Sequence, residues 1–293
     1  MAHPHAHSPV DHGRAFAVGV ALNVAFVVVE AVFGVLSGSL ALLADAGHNL
    51  SDVLGLLLAW SASALARRRA SPRHTYGLRK STVLAALANA ILLMVAVGGI
   101  AWEALRRFGD PGEVATTTVI VVAGIGVLIN AVTAALFMRG RHADLNVRGA
   151  FLHMAADAGL SAGVVLAGIV IALTGGVWVD PLTSLVIAAV ILAGTWGLLR
   201  DSVNLAMDAV PQGVDPAAIE AYLAGLPGVQ TVHDFHVWGM STTETALTAH
   251  LVRPGAADND ALLARVSADL RERFGIAHAT LQVERSDRAC PQS

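Results

Sequence analysis

The chain has 293 residues, 55% hydrophobic and 14% charged, with a formal net charge of -3. So few charges cannot cover a soluble protein of this length, and the near-neutral balance, with no basic stripe, offers no footprint for nucleic acid. The single cysteine, Cys290, excludes an internal disulfide.

In chain order, residues 1–13 form a tail in which His3, His5, His7 and His12 are spaced by Pro, Ala and Ser. It reads as a segment without a core, either a weak metal collector or a solvated tail. Its polarity, and the length of the apolar run behind it, argue against a cleavable signal peptide. Residues 14–207 then hold six apolar runs, at 15–36, 40–66, 82–105, 114–138, 147–174 and 179–199. Each reaches the roughly 20 residues a helix needs to cross the hydrocarbon core. Glycines one turn apart, Gly34 with Gly38 and Gly159 with Gly163, are expected to let helices approach closely.

The loops suggest an orientation. Arg67, Arg68, Arg69, Arg73, Arg79 and Lys80 cluster between the second and third runs, and Arg139, Arg141 and Arg148 between the fourth and fifth. The opposite loops have only Arg106 and Arg107, offset by Asp110 and Glu113. The positive-inside rule therefore puts both termini in the cytoplasm of a multi-pass cell-membrane protein. Residues 208–293 turn polar. Helices are expected at 215–226 and 258–274, and strands at 229–239, 243–253 and 277–284. The order αββαβ predicts a small α+β domain. The fold class is thus a polytopic α-helical membrane protein with six transmembrane helices and a C-terminal α+β domain.

Two of the apolar runs carry the same polar pair. His48 and Asp52 lie four residues apart in the second, and His153 and Asp157 four apart in the fifth. That spacing puts each pair on one helix face. Ionisable groups inside a bilayer are costly and mark ion paths. Two imidazoles and two carboxylates make a tetrahedral donor set suited to zinc, and with one divalent cation the set is neutral. Without metal the carboxylates repel, and protons taking the same lone pairs restore neutrality, so metal and protons are expected to exchange. Asp45 lies one turn before His48, either lining the approach or making a structural hydrogen bond. Asn23 and Glu30 share a face of the first helix, as cavity lining or as a polar helix contact. Asn130 is expected to be structural.

In the C-terminal domain, His250 alternates with Thr248 and Val252, and His278 with Thr280, Gln282 and Glu284. His233, His250 and Glu284 could therefore converge on a regulatory metal, the alternative being a polar sheet face with satisfied histidines; His236 could belong to either.

With these residues in view, the chain resembles the cation diffusion facilitator family, in its zinc-exporting branch. The resemblance rests on residues 38–52 (GSLALLADAGHNLSD), on His153 to Asp157, and on His74-Thr75-Tyr76-Gly77 in the basic loop. Val179-Asp180-Pro181 and His233-Asp234-Phe235-His236-Val237-Trp238 add to it. It implies a homodimer with six helices per protomer, a cytoplasmic metallochaperone-like domain, and antiport of a divalent metal against protons by alternating access. His48, Asp52, His153 and Asp157 match the family's transport-site positions. His48 stands where some relatives have Asp, which favours zinc over cadmium or manganese, and Gln282 stands where some have a further histidine. Ser71 and Leu78 occupy loop positions where a second metal site would need ligands, so His74 is expected to be a plain polar residue.

The expected function is proton-coupled export of zinc, with cadmium and cobalt as further substrates and zinc also as a regulatory ligand. No organic cofactor and no enzymatic activity are expected, since no His-Glu-x-x-His is present and four protein ligands close the metal's coordination. The competing reading is a membrane-anchored metal sensor.

Overall fold

Six long helices carry the apolar part of the chain: α1 Gly13–Ser37, α2 Leu40–Ala66, α3 Ser81–Arg107, α4 Thr116–Phe137, α5 Leu145–Thr174 and α6 Val179–Ala206. A helix satisfies its own backbone polar groups, which is why such runs can sit in hydrocarbon. The computed structural model describes residues 13–109, 112–138, 145–255 and 259–286, with side chains from residue 24 in α1 and from 151 in α5. Five of the helices are long and apolar enough to cross a membrane, and α1 adds the apolar run Val24–Ser37. Val28, Trp60, Val95, Leu128, Leu166 and Trp196 face outward, the reverse of a water-soluble surface and the arrangement lipid would cover.

The chain divides into two units, Met1–Leu56 with Ile91–Trp196, and Leu57–Ala90 with Gly197–Ser293. In the first, Phe26, Leu42, Leu93, Val122, Val164 and Ile187 belong to one buried cluster. Close approaches occur where a side chain would not fit. A Cβ at Gly126 would stand 2.7 Å from the Phe26 ring, and one at Gly168 would stand 2.8 Å from Ile120. Gly34 meets Leu43 in the same way, as its spacing predicts, but Gly159 and Gly163 have no described atom within 4 Å. Small residues tighten the α1–α4 and α4–α5 packing, at Gly126 and Gly168 rather than at Gly159 and Gly163.

The start of α2 is held from α6. Gly38 takes a left-handed φ of 68°, and a Cβ there would lie 2.7 Å from the Glu113 carbonyl oxygen. The Asp180 carboxylate accepts from Leu40 N at 2.8 Å, from Ala41 N at 3.3 Å and from the Ser39 hydroxyl. A buried carboxylate thus satisfies amides that a helix N-terminus leaves without partners, and opposes the positive end of the dipole. This fixes the helix on which His48 lies two turns later.

The second unit contains α7 Pro216–Ala224, β1 Thr231–Gly239, β2 Thr245–Val252, α8 Asp260–Phe274 and β3 Ile276–Glu284. The sheet runs β1-β2-β3, antiparallel then parallel, which requires α8 as the crossover. Ile219 and Leu223 of α7, Val266 and Leu270 of α8, and Leu247 and Leu251 of β2 form its core. Asp215 caps α7 through Ala217 N and Ala218 N, and Gly275 ends α8 with a left-handed φ of 70°. The basic loop belongs to the same unit. Arg79 pairs with Glu244 at 2.7 Å, Lys80 with Asp208 at 2.5 Å, and Tyr76 meets His278 edge-on. Strand β2 begins at Thr245 rather than 243 because the Ser241 hydroxyl accepts from Thr243 N and Glu244 N, closing a turn first.

Candidate metal sites

Helix α2 brings His48 and Asp52 to one face, α5 does the same for His153 and Asp157, and the two faces meet. The pairing is crossed between helices. His48 Nε2 lies 3.4 Å from Asp157 Oδ1 and 3.9 Å from Asp52 Oδ2; His153 Nε2 lies 3.2 Å from Asp52 Oδ2 and 3.8 Å from Asp157 Oδ2. Zinc–ligand bonds of about 2.0–2.1 Å in a tetrahedron imply ligand–ligand edges of about 3.3 Å. The two separations between helices match that edge, the two within a helix exceed it, and the His48 and His153 rings stand 6.3 Å apart, so His153 has to move inward to complete a tetrahedron. His48 Nδ1 is buried without a hydrogen-bond partner among the described residues, and His48, Asp52 and Asp157 satisfy the distances of a metal cluster, a set that does not include His153. The site is graded in access: the Asp157 side chain is 2% exposed, His48 16%, Asp52 31% and His153 44%.

The residues flagged near it resolve differently. Glu30 makes a polar helix contact, accepting from Asn49 Nδ2 at 3.1 Å, and Asp45 accepts from Ser161 Oγ at 2.6 Å. Both are fully buried. Asn130 is also fully buried, yet neither end of its carboxamide has a partner among the described residues. The Asn23 side chain lies outside the described residues, as do His3, His5, His7 and His12.

On the sheet, His233 pairs in register with His250, and His250 with Gln282. Glu284 ties them together: its oxygens lie 3.1 Å from His233 Nε2 and 3.1 Å from His250 Nδ1, and the rings stand 5.1 Å apart. His233, His250 and Glu284 form the second ligand cluster. Gln282 donates to Glu284 Oε1 at 2.8 Å instead of offering an imidazole. Partial burial pulls the Glu284 carboxyl upward. Donation from Gln282 and His233, with the nearby histidine charges, outweighs it and holds the group below the usual carboxylate range.

Asp234 is the residue the sequence reading left unassigned. It lies 3.0 Å from His236 Nε2 and 3.4 Å from His250 Nε2, so it links His236 to the cluster. A regular strand would put His233 and His236 on opposite faces. The register shifts between them, and Asp234 adopts a φ of 47°, which turns both histidines to one face. The run His233-Asp234-Phe235-His236 held a signal, since Asp tolerates the left-handed region better than most residues.

Family models match both parts of the chain: the cation efflux transmembrane domain over residues 16–205, and the cytoplasmic domain of cation efflux proteins over residues 211–286. The zinc transporter ZitB of Escherichia coli is 38% identical over 291 residues, covering 97% of this chain and 93% of that protein. The metal cation efflux system protein CzcD of Cupriavidus metallidurans is 36% identical over 283 residues, covering 96% and 89%. A cadmium, cobalt and zinc/H(+)-K(+) antiporter of Bacillus subtilis is 33% identical over 285 residues, covering 96% and 91%.

Proposed function

Because the chain belongs to the cation efflux family, we propose that it exports divalent metal across the cell membrane in exchange for protons, with zinc as substrate and cadmium and cobalt as further substrates. The observation that carries this reading is the crossed arrangement of His48, Asp52, His153 and Asp157 between two apolar helices. Two anionic and two neutral donors cancel a divalent charge, so the loaded site is neutral in a low-dielectric interior. The same lone pairs bind protons once metal leaves, which makes the two cargoes mutually exclusive. The names of the relatives, zinc transporter and zinc/H(+)-K(+) antiporter, support the cargo and the coupling.

In this reading the basic loops and both termini face the cytoplasm, the protein works as a homodimer, and His233, His250, Glu284 and Asp234 bind a regulatory zinc. The domains divide at residues 13 and 207. Purified protein in liposomes with an imposed pH gradient tests the core of the proposal. Zinc flux should follow the gradient and fall to background in His48→Ala and Asp157→Ala. Flux indifferent to both substitutions would reject the transport site.

A further inference from the structure

Glu30 on α1 and Asp45 on α2 are both 0% exposed, and neither belongs to the four-residue metal site. Two carboxyls without access to water are costly in a membrane interior unless every oxygen is answered. Asn49 Nδ2 donates to Glu30 Oε2 at 3.1 Å, and Ser161 Oγ donates to Asp45 Oδ2 at 2.6 Å. That leaves Glu30 Oε1 and Asp45 Oδ1 with no donor among the described residues. Asn49, the partner of Glu30, lies four residues after Asp45 on the same face of α2, so Glu30 packs against the face that carries Asp45. One proton held between them supplies the missing donor and halves the buried charge.

The position of the pair suggests what that proton does. Asp45 lies one turn before His48 on α2, and Ser161 one turn after Asp157 on α5. The pair therefore sits one turn from the metal site along both helices that build it. In each helix the displacement is away from the end joined to a basic loop, and so toward the outer face in the orientation proposed above. The ionisable groups acting on the pair across that turn are His48 and Asp157; Asn49 and Ser161 are neutral.

We propose that Glu30 and Asp45 form a proton-holding pair, the acceptor through which the driving proton enters from the outer side and reaches the metal site. The inference rests on the proton-coupled reading. As zinc leaves, the shared proton passes to a carboxylate oxygen or imidazole nitrogen that the metal has vacated. A proton from the outer water refills the pair, so charge and protons balance without another reactant.

Glu30→Gln and Asp45→Asn, made singly in the full chain, test it. In each the carboxamide replaces the donor that the proton supplied, so the packing is kept while the exchangeable proton is lost. Infrared spectra of the wild type at neutral pH should show the carbonyl stretch of a protonated carboxylic acid, weakened in either variant. In liposomes, zinc flux driven by a pH gradient should fall at least about tenfold, a barrier change of about 1.4 kcal/mol. Zinc-for-zinc exchange in the same vesicles, which moves no net proton, should change less than about threefold. An absent carbonyl band, undiminished gradient-driven flux, or an equal fall in both fluxes would each overturn the pair's role. Wild-type flux that ignores the pH gradient while His48→Ala still abolishes it would instead remove the proton-coupled reading, and this inference with it.

Discussion

Asp157 and Asp52 bear the same charge but not the same environment, with 2% and 31% of their side chains exposed. A charge acts more strongly on a metal where less water screens it, so the two should contribute unequally. Asp157→Asn should weaken zinc binding by roughly 100-fold, about 2.7 kcal/mol, and Asp52→Asn by roughly tenfold. Zinc titration of purified protein against a competing chelator measures both, and equal losses would contradict the graded site. The convergence of the four proposed ligands was legible from spacing, because i and i+4 share a helix face whatever the tertiary structure does. Asp234 was not, because its contribution depends on a bulge, and strand alternation alone would have placed its neighbours on opposite faces. Asn130 escaped for a different reason: sequence marks a buried amide but not whether anything answers it.

At the scale of elements, hydropathy located the helices to within a few residues, since crossing a bilayer demands an uninterrupted apolar run. It failed at their ends. Helix α6 continues to Ala206, two turns beyond the apolar stretch, because backbone hydrogen bonding outlasts hydrophobicity there. Asp180 is a case where the motif was visible and its purpose was not: it caps a helix 140 residues away in sequence. Asp180→Ala should lower stability by about 2 kcal/mol, at the upper end for caps since the carboxylate is buried, with less loss for Asp180→Asn. Thermal unfolding in detergent checks the order of the three proteins. Between α7 and α8, Tyr222 donates to Asp269 at 2.5 Å. Burial, that bond and the Asp269 charge push the phenol up to about 12. A group whose folded value is raised stabilises fully below its unfolded value near 10 and loses that contribution as pH climbs toward 12. The advantage of wild type over Tyr222→Phe should therefore be constant at neutral pH and shrink through that alkaline window, as followed by circular dichroism of the protein.

For the whole molecule, the proposed antiport raises the question of what charge crosses the membrane in one cycle. With metal bound at the proposed ligands the site would be neutral, two carboxylates balancing one divalent ion. The site that returns empty traverses the same apolar surroundings, formed around Phe26, Val122 and Val164, and any charge it kept would carry a desolvation cost. Two protons restore neutrality, so two per zinc is the exchange that the surroundings favour. The energetics agree. Moving a divalent ion outward against about 100 mV costs about 4.6 kcal/mol, and two entering protons return the same amount, whereas one returns only half. What remains is the pH gradient, worth about 1.4 kcal/mol per proton per unit, or roughly a 100-fold zinc gradient for each unit when two are carried. Flux in liposomes should accordingly be unchanged when a potassium diffusion potential of about 100 mV is imposed at constant pH, and should rise when the pH gradient is imposed at zero potential. A flux that slows under an inside-negative potential during outward zinc movement would mean that fewer than two protons return. The site would then carry net charge on one leg of its cycle, a cost its apolar surroundings are poorly built to meet.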